Sequence, residues 1–206
     1  DVIANPYVLA WDYGLNPSEI FPINLPSANP GTPSPCVNPE GGHWVKDSVG
    51  WWYACADGST YLKGGWFTIN GHDYQFGPSG YMATGFLKRT SGEWVYADSD
   101  GALVSGWVKD GGQWYYLDPA SHVMVTGWVA DRGSWYYLTG SGAMAIGWVN
   151  DGGTWYFLNA SGKMATGWVK DRGTWYYLAP SGAMLTGTQV INGRTYVFDA
   201  NGVWVH

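Results

Sequence analysis

Trp107-Val108-Lys109-Asp110-Gly111-Gly112-Gln113-Trp114-Tyr115-Tyr116 decides how the 206-residue chain is read. Two short aromatic-rich runs flank Gly111-Gly112. A two-residue link of this kind signals a tight hairpin, because the turns that match the twist of paired strands need positive φ, which glycine adopts freely. With Asp110 opposite Gln113, Lys109 faces Trp114, Val108 faces Tyr115 and Trp107 faces Tyr116. Paired residues share one face of a ribbon. Trp107, Trp114 and Tyr116 therefore project to one side, and Val108 and Tyr115 to the other.

The same pattern recurs along most of the chain. Gly precedes an aromatic at Gly65-Trp66, Gly85-Phe86, Gly106-Trp107, Gly127-Trp128, Gly147-Trp148 and Gly167-Trp168, and Gly187-Thr188 keeps only the glycine. Counted from Trp44, successive spacings are 22, 20, 21, 21, 20, 20 and 20. A second cluster follows seven or eight residues later: Trp51-Trp52-Tyr53, Trp94-Val95-Tyr96, Trp114-Tyr115-Tyr116, Trp135-Tyr136-Tyr137, Trp155-Tyr156-Phe157 and Trp175-Tyr176-Tyr177. Degenerate copies stand at Asp73-Tyr74-Gln75 and Thr195-Tyr196-Val197. A Met then recurs in Ser-Gly-x-Met contexts at Met82, Met144, Met164 and Met184, and Met124 fills the same place after Ser121-His122. An isolated hairpin is marginal in water, whereas stacked hairpins bury one layer against the next, so the array is the stable unit. The expected fold is all-β, a β-hairpin solenoid of about eight repeats over residues 41–206 with atypical end copies as caps.

Composition agrees. Aromatics make up 17% of residues and charged groups only 13%, which is the reverse of a disordered chain. Trp, Tyr and Gly fill strands and turns better than helices. A net charge of −6 and a pI near 4.9 argue against nucleic acid, which needs a basic footprint. No apolar run reaches the roughly 18 residues of a membrane-spanning helix. The chain begins at Asp1 without a basic-then-apolar leader, as expected of a mature form.

Residues 1–40 differ from the rest. They hold eight of the eleven prolines, which disfavours helix and sheet. Trp11, Tyr13, Ile20 and Phe21 give this segment apolar content, so packing on the first repeats is expected. Cys36 and Cys55 are the only cysteines; an even count in a secreted chain points to a disulfide, here closing 20 residues. The alternative, a nucleophilic cysteine, needs a His and an orienting group, and neither His43 nor His72 comes with one. His122, His206, Asp12, Glu19 and Glu40 are likewise scattered, without paired-carboxylate or metal-ligand spacing. No catalytic residue, metal or cofactor is expected.

On the residues alone, Trp, Tyr and Met at fixed repeat positions fit either core packing or ligand cages. The units at Gly106–Asp118 and Gly167–Met184 resemble the choline-binding repeats of pneumococcal-type surface proteins and phage lysins. Gly-Trp, Trp-Tyr-Tyr and Gly-x-Met-x-Thr-Gly in register at this period carry the resemblance, which covers roughly residues 41–206. It implies a left-handed β-solenoid with choline held between consecutive hairpins by two Trp of one repeat and a Tyr and a Met of the next. Carried over, the three intact sites are Trp107, Trp114, Tyr137 and Met144; Trp128, Trp135, Phe157 and Met164; and Trp148, Trp155, Tyr177 and Met184. A fourth joins Phe86, Trp94, Tyr116 and Met124, with Phe in the first place and one extra residue before Trp94. Tyr115, Tyr136, Tyr156 and Tyr176 are assigned to packing. The junctions after Trp44, Trp66 and Trp168 look broken, because they offer Gln75, Asp73 and Val197 where an aromatic is wanted.

The chemistry is coherent. A quaternary ammonium has no N–H to donate, and aromatic faces attract its diffuse charge and cover its apolar skin. The resemblance thus implies a non-catalytic module on a secreted, wall-attached bacterial protein, with choline or phosphocholine on teichoic and lipoteichoic acids as partner. Two rivals stand beside it. Related repeats bind glucans, and residues 1–40 with the degenerate first copies fit an adhesin that engages another surface or host protein.

Overall fold

The computed structural model of the chain describes Cys36 and residues 38–205. The expectation that Trp11, Tyr13, Ile20 and Phe21 pack on the first repeats lies outside the described residues. Sixteen strands form eight two-stranded antiparallel hairpins. They are β1 (His43–Lys46) with β2 (Trp51–Ala54), β3 (Gly65–Ile69) with β4 (His72–Phe76), β5 (Gly85–Lys88) with β6 (Trp94–Ala97), and β7 (Gly106–Asp110) with β8 (Gln113–Leu117). β9 (Gly127–Asp131) pairs with β10 (Ser134–Leu138), β11 (Gly147–Asp151) with β12 (Thr154–Leu158), β13 (Gly167–Asp171) with β14 (Thr174–Leu178), and β15 (Gly187–Ile191) with β16 (Arg194–Phe198). The fold is the expected all-β hairpin solenoid. Its residues form two compact units, one running up to 106 and including 117–124, the other made of 107–116 and 125–205.

The turns are those the sequence called for. Gly111 and Gly112 have φ of 53° and 83°. In sister hairpins the first place is taken by Arg132 and Arg172 at 46° and 47°, or by Asn70 and Asn192 at 51°, always followed by glycine. Arginine in this region costs roughly 1–2 kcal/mol, and asparagine less because its amide bonds locally. The register follows: Lys170 opposes Trp175, Val169 opposes Tyr176 and Trp168 opposes Tyr177. Trp128 likewise opposes Tyr137, and Trp148 opposes Phe157.

What joins hairpin to hairpin is the segment ending in Met. In the second unit the Met144, Met164 and Met184 N–H groups donate to the carbonyls of Trp114, Trp135 and Trp155 at 2.7, 2.7 and 2.8 Å. The next residues, Ala145, Ala165 and Leu185, donate to Tyr137, Phe157 and Tyr177 at 2.8, 2.8 and 2.9 Å. Each Met segment is thus hydrogen-bonded to the hairpin it follows and to the one before. Glycine makes room for it: a Cβ at Gly162 or Gly182 would run into the Sδ atom of Met144 or Met164.

The core is not made of tryptophan. Leu138, Leu158 and Leu178 are fully buried, each following an aromatic cluster and each bridged to the Met of its own repeat. In the first unit Phe76, Val95 and Leu117 are fully buried, with Leu62 among them. Cys36 and Cys55 form the expected disulfide, and Cys55 belongs to a buried cluster with Tyr53, Leu62, Ile69 and Phe76.

Two stability differences follow. Leu158→Ala is expected to cost about 2–5 kcal/mol by chemical denaturation, while Trp155→Ala, at a ring left 44% exposed, costs well under half as much. Replacing Cys36 and Cys55 together by Ser should release a constraint of about 3 kcal/mol for a loop of this length, read as earlier unfolding of the first hairpins in hydrogen exchange.

Candidate functional site

The second unit shows how the repeat aromatics meet. Trp128 packs edge-on against its cross-strand partner Tyr137, ring centroids 5.1 Å apart, and against Trp135 at 6.5 Å and 82°. From the following hairpin Tyr156 meets Trp128 at 4.7 Å. Met164 is tied to the Trp135 carbonyl. Trp128, Trp135, Tyr156 and Met164 thus converge between two hairpins. The neighbouring junctions repeat the arrangement. Tyr136 lies 4.8 Å from Trp107, and the Met144 N–H is on the Trp114 carbonyl; Tyr176 lies 4.7 Å from Trp148, and the Met184 N–H is on the Trp155 carbonyl. The second Trp of each set stays open, with Trp114, Trp135 and Trp155 exposed to 41%, 48% and 44%.

The ring supplied by the next hairpin is therefore Tyr136, Tyr156 or Tyr176. Tyr137, Phe157 and Tyr177, expected there, instead close on the first Trp of their own hairpins, at 5.1, 5.0 and 5.2 Å. Strand alternation is the reason. Trp128, Trp135 and Tyr137 share the face turned to the following repeat, so the residue reaching back must lie on the opposite face, and that is Tyr136. The alternation was available in the sequence.

A second feature escaped the sequence reading. The indole Nε1–H groups of Trp107, Trp128 and Trp148 donate to the carboxylates of Asp131, Asp151 and Asp171 at 3.1, 3.0 and 3.1 Å. Each Asp ends the first strand of the following hairpin, so one bond fixes the ring orientation and joins two repeats. It also leaves negative charge beside the rings. The rings already meet cations: the ammonium groups of Lys109 and Lys170 lie 5.9 and 5.6 Å over Trp114 and Trp175, each lysine opposite its Trp.

The last junction is less broken than Val197 suggested. Tyr196, on the backward face, meets Trp168 at 5.1 Å, and Trp204 takes the place of Met, 5.6 Å from Trp168 and with its N–H on the Trp175 carbonyl at 2.9 Å. Trp168, Trp175 and Trp204 are 38%, 39% and 40% exposed.

In the first unit the same correction applies at Trp44. Tyr74, not Gln75, meets it at 4.9 Å, Trp51 stands at 6.5 Å, and the Met82 N–H donates to the Trp51 carbonyl at 2.7 Å. These four residues and Asp100 line a cavity of about 210 Å³. In the same unit the Tyr81 hydroxyl donates to Asp47 at 2.9 Å, and burial together with that bond pushes the phenol up to about 12. Of the fourth expected site, Phe86 packs on Tyr96 at 5.0 Å and Met124 donates to the Trp94 carbonyl at 2.7 Å. Tyr116 belongs to the second unit and packs on Trp107 at 5.0 Å. Trp66 has Asp73 in place of a second Trp; that carboxylate accepts from Thr68 at 2.7 Å, and the Trp66 indole N–H is buried without a partner.

The model of the choline-binding repeat matches residues 84–124, 104–146 and 145–188, and a cell wall binding repeat matches residues 64–82. Among solved structures, CbpJ from Streptococcus pneumoniae is 41% identical with a TM-score of 0.64, over 79% of this chain and 57% of that one. Choline binding protein F from Streptococcus pneumoniae, in the presence of a peptidoglycan analogue, is 37% identical with a TM-score of 0.64, over 79% and 57%. The choline-binding domain of CbpL from Streptococcus pneumoniae is 28% identical with a TM-score of 0.53, over 79% and 96%. The chain thus spans little more than half the length of the first two. No curated protein matches. With repeat matches running from residue 84 to 188 over the hairpins described above, the chain belongs to the choline-binding repeat family.

Proposed function

We propose that this chain attaches non-covalently to the bacterial surface by taking choline or phosphocholine groups of teichoic and lipoteichoic acids into aromatic cages between successive hairpins. The cages are Trp107, Trp114, Tyr136 and Met144; Trp128, Trp135, Tyr156 and Met164; and Trp148, Trp155, Tyr176 and Met184. Trp168, Trp175, Tyr196 and Trp204 make a further cage in which indole replaces thioether. The observation that carries the reading is that the second Trp of each of these sets stands 39–48% exposed while leucines form the core. Rings needed only for packing would be buried. Open rings with a Tyr edge and a Met beside them offer electron-rich faces and a polarizable wall to a cation that donates no hydrogen bond.

Each ring contributes roughly 0.5–2 kcal/mol. Three rings less the cost of association give about millimolar affinity, near −4 kcal/mol. A polymer carrying many choline groups turns successive contacts into intramolecular ones, so weak sites suffice. The role is attachment rather than catalysis, on the outer surface of the cell.

Calorimetric titration with choline, beside an equal titration with glucose oligomers, tests this. Saturable binding at about millimolar choline, with one site lost in Trp148→Ala, is expected. Binding of the oligomer alone would move the repeats to the glucan-binding class, and silence with both would leave the rings a structural role. The reassigned tyrosine has its own check: Tyr176→Ala should weaken the Trp148 cage about threefold to thirtyfold, whereas Tyr177→Ala acts mainly on the Trp168 cage, the two being separated by indole NMR signals.

A further inference from the structure

The cavity in the first unit differs from the cages of the second in where its carboxylate stands: Ile69 ends the following first strand, where Asp131, Asp151 and Asp171 accept an indole N–H, and an acid appears instead at the rim. Its walls are Trp44, Trp51, Tyr74 and Met82, the same set as elsewhere, and Asp100 stands at its edge. The position is defined by the repeat. The Sδ atom of Met82 lies where a Cβ on Gly101 would be, as those of Met144, Met164 and Met184 do at Gly162, Gly182 and Gly202. The residue before that glycine is Ser161, Ser181 or Asn201 in the second unit, all neutral, and Asp100 here. Asp100 is exposed, and among the described residues its carboxylate has no hydrogen-bond or ion-pair partner; only its backbone N–H is engaged, on Asp98. The carboxylates of Asp131, Asp151 and Asp171, by contrast, are occupied by indole N–H groups.

We infer that the Trp44–Trp51–Tyr74–Met82 cage is a site for a small organic cation bearing N–H donors, a primary ammonium, with Asp100 as its hydrogen-bond acceptor. The inference rests on the reading of the other cages as ammonium sites. Aromatic faces and a thioether attract any organic cation but accept N–H bonds poorly, so a primary ammonium entering an ordinary cage loses hydration without replacement. A free carboxylate at the edge restores one charge-assisted bond, and water at the mouth serves the remaining donors. A quaternary ammonium gains only the Coulombic part. The Lys46 ammonium, 5.2 Å over Trp51, does not set this cage apart, since Lys109 stands over Trp114 in the same way. The volume is suitable: a water molecule takes roughly 30 Å³ in the liquid, so about 210 Å³ admits a cation of several heavy atoms.

The test uses the full chain, with ethanolamine and choline as probes and the indole N–H signals of Trp44, Trp51, Trp148 and Trp155, assigned by single Trp→Phe variants, as the readout. Ethanolamine is expected to shift Trp44 and Trp51 saturably and to leave Trp148 and Trp155 unmoved at the same concentration. Asp100→Ser, which installs the residue found at the sister positions, should weaken the ethanolamine response about tenfold while the choline response at Trp148 stays unchanged. A choline response at Trp148 with none to ethanolamine at Trp44, or an ethanolamine response indifferent to Asp100→Ser, overturns this inference alone. No response to either cation at any of the four indoles overturns the cage reading as a whole.

Discussion

Six of the eight described hairpins depend on a two-residue turn with positive φ at both central positions. That geometry sets which residue of one strand opposes which of the next, and side-chain alternation then decides what each face carries. A slip of one residue would send every Trp to the face now held by Val and Tyr. The strength of the constraint shows in Arg132 and Arg172, which hold φ of 46° and 47° without glycine's freedom. The turn keeps its shape where the side chain opposes it, because the stacking of the next repeat follows from the register.

On the proposed function, stability and recognition fall to different residues. Leu117, Leu138, Leu158, Leu178, Phe76 and Phe198, each behind its strand's aromatic residues, fill the core, and the Met segments bond hairpins to their predecessors. The tryptophans are then free to stand half in solvent. Leaving such a ring open forgoes on the order of 2 kcal/mol of burial, a cost that recurs with the period and that a purely structural array would avoid by burying the ring. The indole bonds to Asp131, Asp151 and Asp171 hold the first Trp of each set in place without covering its faces.

The hairpins, their register and their number were legible because Gly-Gly and its Asn-Gly and Arg-Gly variants fix six of the turns and the period repeats in the aromatics. The pairing between repeats was less so. The family pattern calls for a Tyr from the next repeat but does not say which of two adjacent Tyr residues it is; the face does, and it selects Tyr136 over Tyr137. Comparing the wrong member also made the Trp44 and Trp168 junctions look empty, since Gln75 and Val197 sit beside the residues that matter, Tyr74 and Tyr196. The Asp partners were hidden differently. They end the strand before a turn, where Asp is ordinary turn chemistry, and only the stacking distance reveals that an indole reaches them.

Charge then takes on a local meaning that the net value of −6 conceals. A carboxylate already accepting an indole N–H contributes field but has less capacity to bind a ligand's donor. A free one at the rim contributes both. Repeats built on one template can therefore keep the same set of rings and still differ in the cation they prefer, by moving a carboxylate from the strand end to the residue before the glycine that seats the methionine. Geometry is held in common by the Met–Gly contact, so substitution at the rim leaves the hairpins alone. On that reasoning a tandem array is a set of related sites rather than copies of one, and each ligand preference has to be read from the rim as well as from the rings.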